Sequence, residues 1–148
     1  MNGSRKVLVI IALLSLAGLA AATYVFVAHS LGYPLFCPFA TGCDAVQASP
    51  YAVMFGVPVS LLGMVGFAVY FGLAVSALRL GPRARLCLHA LLALSLLEVA
   101  FTSYMAYLQV AVIRAVCSWC MFSAAVTVAL ALCVIFGLFV RGTRTGEV

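Results

Sequence analysis

Four stretches of this chain are each long and apolar enough to cross a bilayer as a helix, and that leaves few folds open. A spanning helix needs about 20 apolar residues. The stretches run roughly Val7–Ala28, Val57–Leu78, Leu86–Val112 and Val116–Val140. Lipid offers no partner to a bare peptide group, so such segments close their own hydrogen bonds as helices. Composition agrees: 67% of the 148 residues are hydrophobic and 7% are charged, where a soluble domain is about one quarter charged. The length fits a single domain, residues 1–148.

The first stretch follows Arg5 and Lys6 and could pass for a secretion signal. A signal core is shorter, about 7–15 residues, and no convincing cleavage site follows. It is read as a retained helix.

Charge orients the bundle. Arg5 and Lys6 precede the first helix, Arg79, Arg83 and Arg85 sit between the second and third, and Arg141 and Arg144 follow the fourth. Only Arg114 falls on the other side. By the positive-inside rule both termini and the middle link are cytoplasmic. The net charge of +5 is then a topological signal, and no aromatic-interleaved basic patch points to nucleic acid. The partner surface is membrane lipid.

The fold class expected is an all-α membrane protein, a four-transmembrane-helix bundle with an extracytoplasmic loop and a short helix between helices 1 and 2. That loop, Ser30–Gly56, holds Gly32, Pro34, Pro38, Gly42 and Pro50, all breakers. Loops of this length are usually functional or disordered. Asp44-Ala-Val-Gln47 resembles a capping box, so a short helix is expected just after Cys43, limited by Pro50. Pro58 suits the first turn of helix 2, and the glycines of that helix suit close packing. The link around Arg114 is too short for helices 3 and 4 to be anything but antiparallel neighbours. A polar, disordered tail is expected over Arg141–Val148.

Four cysteines carry the chemistry. Cys37 and Cys43 lie in the extracytoplasmic loop, and Cys117-Ser-Trp-Cys120 opens helix 4 on the same side. Disulfides form and persist in that compartment. Two dithiols that can meet can relay electrons by thiol–disulfide exchange. Cys117 sits where a helix N-terminus favours an anion and lowers a thiol pKa, with Arg114 one turn earlier as a further source of positive potential. Cys120 lies deeper, nearer anything dissolved in the bilayer. Two other readings stay open: a structural disulfide pair, or a four-cysteine zinc site. Structural zinc favours short spacing within each ligand pair, and Cys37 to Cys43 is wider and holds a proline. Cys87 and Cys133 fall toward the cytoplasmic side and read as small buried hydrophobes.

Glu98 stands near the middle of helix 3, where an ionisable group is a functional hypothesis by default. It could relay protons. The reading preferred from sequence is a protonated glutamate hydrogen-bonded within the bundle, because Glu98 is more than a turn below Tyr104. Trp119 is equally an interfacial anchor and a stacking surface. Phe36, Phe39, Phe55 and Phe122 could line an apolar pocket, and His29 reads as an interfacial residue.

The ordered set of features resembles the vitamin K epoxide reductase family over almost the whole chain. The set comprises four helices, a loop cysteine pair with Cys43-Asp44 and then Ser49, the Phe-Gly-Val-Pro-Val-Ser run from Phe55 to Ser60, and Tyr104 before Cys117-Ser-Trp-Cys120. The other bacterial quinone-linked disulfide generator carries its CxxC in the first extracytoplasmic loop instead. The resemblance implies that Cys37 exchanges with an external thioredoxin-fold dithiol protein and that Cys43 passes electrons to Cys117. Cys120 would face a quinone: ubiquinone, menaquinone or vitamin K. Ser49, Phe55, Trp119, Phe122 and Tyr104 are the expected quinone-binding residues, and no metal is expected. Many prokaryotic relatives carry a fused thioredoxin-like domain; here the partner is expected to be separate. Two positions depart from the animal members. Ala124 stands where they have tyrosine, and Tyr51–Val59 holds no asparagine. Both weigh against epoxide as substrate and toward a prokaryotic plasma membrane. The function expected is a quinone-linked thiol oxidoreductase supporting disulfide formation. The alternatives are epoxide reduction and a non-catalytic membrane protein with structural or zinc-binding cysteines.

Overall fold

The computed structural model of the chain describes residues 3–145. Helix α1 (Gly3–Leu31) leads into a loop containing the short helix α2 (Cys43–Gln47), a 3-10 turn (Pro50–Ala52) and a two-stranded hairpin of β1 (Val53–Met54) and β2 (Val57–Pro58). Then come α3 (Val59–Leu80), a 3-10 link (Gly81–Ala84), α4 (Arg85–Tyr107), which widens into a π-helix (Leu108–Ile113), and α5 (Ser118–Thr145). Four of these helices are long and apolar enough to cross a membrane, so the protein is an all-α four-helix membrane bundle.

The helices outrun the apolar stretches that announce them. Hydropathy marks where lipid is, whereas a helix continues until the backbone is told to stop. For α1 the stop is Gly32, whose φ of +70° is left-handed. The Tyr33 N–H then closes onto the Ala28 carbonyl at 3.0 Å, a glycine-terminated helix end. At the other terminus α5 runs on to Thr145, so the expected disorder from Arg141 onward does not begin there. Arg141 Nη1 donates to the Gly81 carbonyl at 3.4 Å. The last three residues of the expected tail lie outside the described residues, as do the side chains of Arg83 and Arg144.

Two local expectations are corrected. Helix α2 forms, but its capping box does not: Gly42 is the capping residue, and the Asp44 carboxylate instead accepts the Leu35 N–H at 3.0 Å. Pro58 caps α3 from outside rather than sitting in its first turn. Phe55 and Gly56 both take positive φ, 52° and 80°, the backbone of a two-residue hairpin turn. The chain therefore pairs Val53 with Pro58 and Met54 with Val57 before α3 can begin.

Helix α1 packs against α3 and α5, and α4 against α5 and α3. Small residues permit the close approach, as expected where lipid is as apolar as any side chain. The Phe67 ring occupies the space a side chain at Gly18 would need. Tyr70, fully buried, donates to Ser95 Oγ at 2.8 Å, and Ser95 passes its own proton to the Leu91 carbonyl at 2.7 Å. The main core gathers Leu8, Ile11, Phe67, Tyr70, Leu88, Leu91 and Leu130. A second, separate cluster joins Val25, Ala28, Leu35 and Val46 to Cys43 and Cys117. Gly137 lies against Val7 and Gly3 against Val140, so the start of α1 and the end of α5 are side by side. The helix ends carrying Arg5, Lys6, Arg79, Arg85 and Arg141 share that side of the bundle, away from the cysteine cluster.

Candidate active site

Both cysteine pairs belong to the second cluster. Cys37 and Cys43 form a disulfide, while Cys117 and Cys120 are free. Cys43 and Cys117 are both buried, at 1% and 0% exposure, and Cys37 is half-buried. Of the four sulfurs in the two pairs, Cys43 and Cys117 thus occupy the shared interior, and Cys37 is the more exposed of the loop pair, packed at the edge of the cluster. Cys87 and Cys133 pack on the main core instead.

The loop is held over the α5 N-terminus by specific bonds. The Phe36 backbone is gripped from both sides: its N–H donates to Tyr24 Oη at 3.2 Å, and its carbonyl accepts the Trp119 Nε1–H at 2.7 Å. The Tyr24 and Trp119 rings touch, with centroids 4.8 Å apart. Ser118 Oγ accepts the Phe39 N–H at 3.4 Å and lies 3.5 Å from Cys37 Sγ. With Cys37 oxidised, that hydroxyl is the donor to sulfur. Gly42 makes the closest approach. A Cβ there would stand 2.6 Å from the Val116 nitrogen and 2.7 Å from its oxygen. Only glycine lets the residue before Cys43 lie against the residue before Cys117.

Cys117 caps α5. Its carbonyl accepts the Met121 N–H at 3.0 Å, and its Sγ accepts the Cys120 N–H at 3.4 Å, the place a serine oxygen commonly takes. It precedes the fourth membrane-crossing helix, and its pKa is lowered to about 7. The largest cause is the hydrogen bond from the Cys120 thiol. Burial opposes it, and the N–H groups of Cys120 and Trp119 and the Gln47 amide assist. The expected helix-end effect is therefore present. Arg114, whose backbone is left-handed at φ 56°, is exposed and is not among the causes. Two glutamines complete the setting. Buried Gln109, in the π-helix, accepts the Cys117 N–H on its Oε1 at 3.0 Å, and Gln47 Nε2 donates to Cys120 Sγ at 3.8 Å.

Beneath the cysteines a cavity of about 460 Å³ opens between α1, α3, α4 and α5. Cys120, Trp119, Gln47 and Ser49 line its upper wall, and Ser60, Glu98, Gln109 and Thr127 stand among mainly apolar side chains, Phe67 and Phe101 included, in the rest. Of the expected binding residues, Ser49 and Trp119 are in this wall. Ser49 keeps its capping bond too, donating to the Val46 carbonyl at 2.6 Å. Phe55, Phe122 and Tyr104 stand apart from the cavity. Phe55 sits at the hairpin tip, 100% exposed, and Phe122 and Tyr104 turn outward from their helices. Phe36 and Phe39 are likewise exposed.

The sequence reading missed four residues at this site: Tyr24, Gln47, Gln109 and Ser60. Ser60 Oγ lines the cavity, buried and without a hydrogen-bond partner. A polar group in an apolar run was the available signal for Tyr24, Ser60 and Gln109, whereas Gln47 lies in the polar loop, where nothing marks it out. Glu98 also departs from expectation. It faces the cavity rather than a hydrogen-bonding partner in the bundle, and no described side chain bonds to it.

A match to the vitamin K epoxide reductase family spans residues 9–135. The chain belongs to this family. Membership makes it a membrane oxidoreductase working through thiols, in a family that is quinone-linked in general and generally works with thioredoxin-like partners. The matched region covers both cysteine pairs and the whole cavity wall.

Proposed function

We propose that this member of the vitamin K epoxide reductase family oxidises a thioredoxin-fold dithiol protein and delivers the electrons to a membrane quinone, supporting disulfide formation. The observation that carries the proposal is the burial of Cys43 and Cys117 in one cluster, with Cys37 the more exposed of the loop pair and Cys120 in the cavity wall. The partner thiolate attacks the accessible Cys37 sulfur, and Cys43 leaves as a thiolate inside the cluster. A Cys117–Cys120 disulfide then accepts that thiolate at Cys117, leaving Cys120 as the sulfur at the cavity. The partner's second thiolate displaces Cys37 and the partner leaves oxidised. Cys37 then resolves the Cys43–Cys117 bond, so the loop disulfide is restored and Cys117 and Cys120 remain as a dithiol.

The cavity fits a quinone headgroup. Its wall is mainly apolar, as ligand pockets are. It also contains an unpartnered hydroxyl at Ser60 and a thiol at Cys120. A bound quinone supplies a two-electron, two-proton acceptor. Ser60 and Ser49 are placed to donate or accept at its oxygens, Trp119 to flank its ring, and the loop to exclude water from above. Ala124, where animal members carry tyrosine, lines the wall and offers no hydroxyl, which weighs against epoxide. A zinc site would need ligands to converge, and among the described residues no three His, Cys, Asp or Glu side chains do so. The clustering of cations at the far end supports cytoplasmic termini and extracytoplasmic cysteines by the positive-inside rule, and the departures from the animal members at Ala124 and over Tyr51–Val59 favour a prokaryotic plasma membrane.

Quinone reduction by purified protein supplied with a reduced thioredoxin-fold dithiol protein tests this. Activity should vanish in Cys37→Ala, Cys43→Ala, Cys117→Ala and Cys120→Ala. With a small membrane-permeable dithiol, the two loop variants should recover and the other two should not. No quinone reduction by folded wild type with any dithiol would overturn the proposal in favour of structural cysteines.

A further inference from the structure

Glu98 is the one acidic side chain in the cavity wall, and the titratable groups sharing that wall are Cys120 and Tyr51. It stands about 20 Å along α4 from Arg85 and a similar distance from Ile113, at 1.5 Å per residue, so it lies near mid-span. Ser15, Thr23, Ser95 and Ser103 in the bundle each donate to a backbone carbonyl. Tyr70, the nearest ionisable neighbour on α3, is committed to Ser95. Glu98 has no such partner among the described residues, and no ion pair holds it. Helix α3 makes room for it: a Cβ at Gly66 would fall on the Glu98 carboxyl oxygen Oε1. A carboxylate without a counter-charge is costly at this depth, and a neutral carboxyl is the form such a wall admits. A side chain that expensive, given a glycine-lined recess and aimed at the cavity, is placed for a ligand rather than for packing.

We propose that Glu98 is the acid that donates a proton to the quinone oxygen remote from Cys120, an inference that rests on the quinone-reducing function proposed above. On α5 the wall runs from Trp119 and Cys120 at the helix start to Thr127, and on α4 from Ala106 and Met105 back to Glu98, Leu97 and Leu94. Glu98 is thus in the half of the α4 wall away from the cysteine end, and the thiol is at that end. When the Cys117–Cys120 dithiol is oxidised, two S–H bonds break, one S–S bond forms, and two electrons and two protons are released. The quinone oxygens take both electrons and both protons. Glu98 gives its proton to the remote oxygen and is reprotonated by one released from the thiols, so charge and atoms balance over the cycle.

The experiment compares wild type with Glu98→Gln, Glu98→Asp and Gly66→Ala. Trp119 is the chain's single tryptophan and lines the cavity, so quenching of its fluorescence reads quinone binding directly. Infrared difference spectra on quinone addition read the carboxyl. Wild type should show quenching and a shifted protonated-carboxyl band; Glu98→Gln should lose that band and keep quenching within about threefold. Quinol formation with a small dithiol should fall about 100-fold in Glu98→Gln, the scale of a lost general acid. The remaining rate should rise as pH falls, because the proton then comes from solvent. Glu98→Asp should recover part of the rate. Gly66→Ala, which crowds the carboxyl without removing it, should perturb the band and slow quinol formation. A wild-type rate and pH profile in Glu98→Gln, or a carboxyl band indifferent to quinone, would overturn the assignment while leaving the function intact. Absence of both quenching and quinone reduction in wild type would overturn the functional reading and the assignment with it.

Discussion

Trp119 Nε1–H donates to the Phe36 carbonyl at 2.7 Å, tying the residue between the α5 cysteines to the residue before Cys37. A neutral hydrogen bond of this kind contributes about 1 kcal/mol net. Trp119→Phe keeps a ring beside Tyr24 and removes only the donor. Oxidation of a protein dithiol should slow about fivefold, while quinone reduction with a small dithiol should change less. Equal losses with both dithiols would place the role of Trp119 in the cavity and not in holding the loop.

The approach of Gly42 to Val116 is a backbone-on-backbone contact with no flexible side chain to yield. Gly42→Val should push the loop off the α5 N-terminus at a cost of about 1–3 kcal/mol, the range for overpacking. Transfer from Cys43 to Cys117 should fall by roughly 10-fold or more, with small-dithiol activity retained. Stopped-flow kinetics of the inter-pair exchange reads this, and a wild-type rate would argue that the contact is incidental.

Cys117 titrates at about 7 because the Cys120 thiol donates to it. Thiolate absorbance of a reduced Cys37→Ala/Cys43→Ala protein should therefore rise through about pH 7, below the ordinary value near 8.5. Cys120→Ala, which removes the largest cause, should move that midpoint upward. The linkage has a definite sign. A depressed folded-state pKa stabilises the reduced protein fully above the unfolded value, and the gain is lost as pH falls through about 7. Thermal stability of the reduced form should climb between pH 7 and about 8.5; a flat profile there would contradict the thiolate.

Tyr70→Phe deletes a buried interhelical hydrogen bond to Ser95. Such bonds in membrane bundles average about 0.6 kcal/mol and reach about 1.7. The unfolding midpoint in detergent should fall by an amount in that range, and a larger loss would mean the ring packing had also been disturbed.

Much of this architecture was legible because its signals are coarse and one-dimensional. Four apolar stretches, seven cations on one side and two cysteine pairs on the other were enough for the span count, the antiparallel order and the shared end of the dithiols. The hairpin at Phe55-Gly56 was not. Positive φ at a phenylalanine is a property of the turn it is forced into, so Phe55 read as a pocket residue and stands at an exposed tip. The capping box failed for a related reason: Asp44 found a better-placed donor in Leu35, nine residues away in the loop.

The sequence by itself determined a four-helix membrane protein of a thiol-redox family, with two cysteine pairs together at one end. Only the tertiary structure decided which side chains share the cavity with Cys120. In lipid-facing helices polarity does not mark an inner face, because the surroundings are as apolar as the core. The inward faces are chosen by where backbones come close, as at Gly18 with Phe67 and Gly66 with Glu98. Those contacts, made between residues far apart in the chain, brought Gln47, Ser60 and Glu98 to the cavity and left Phe55, Phe122 and Tyr104 outside it.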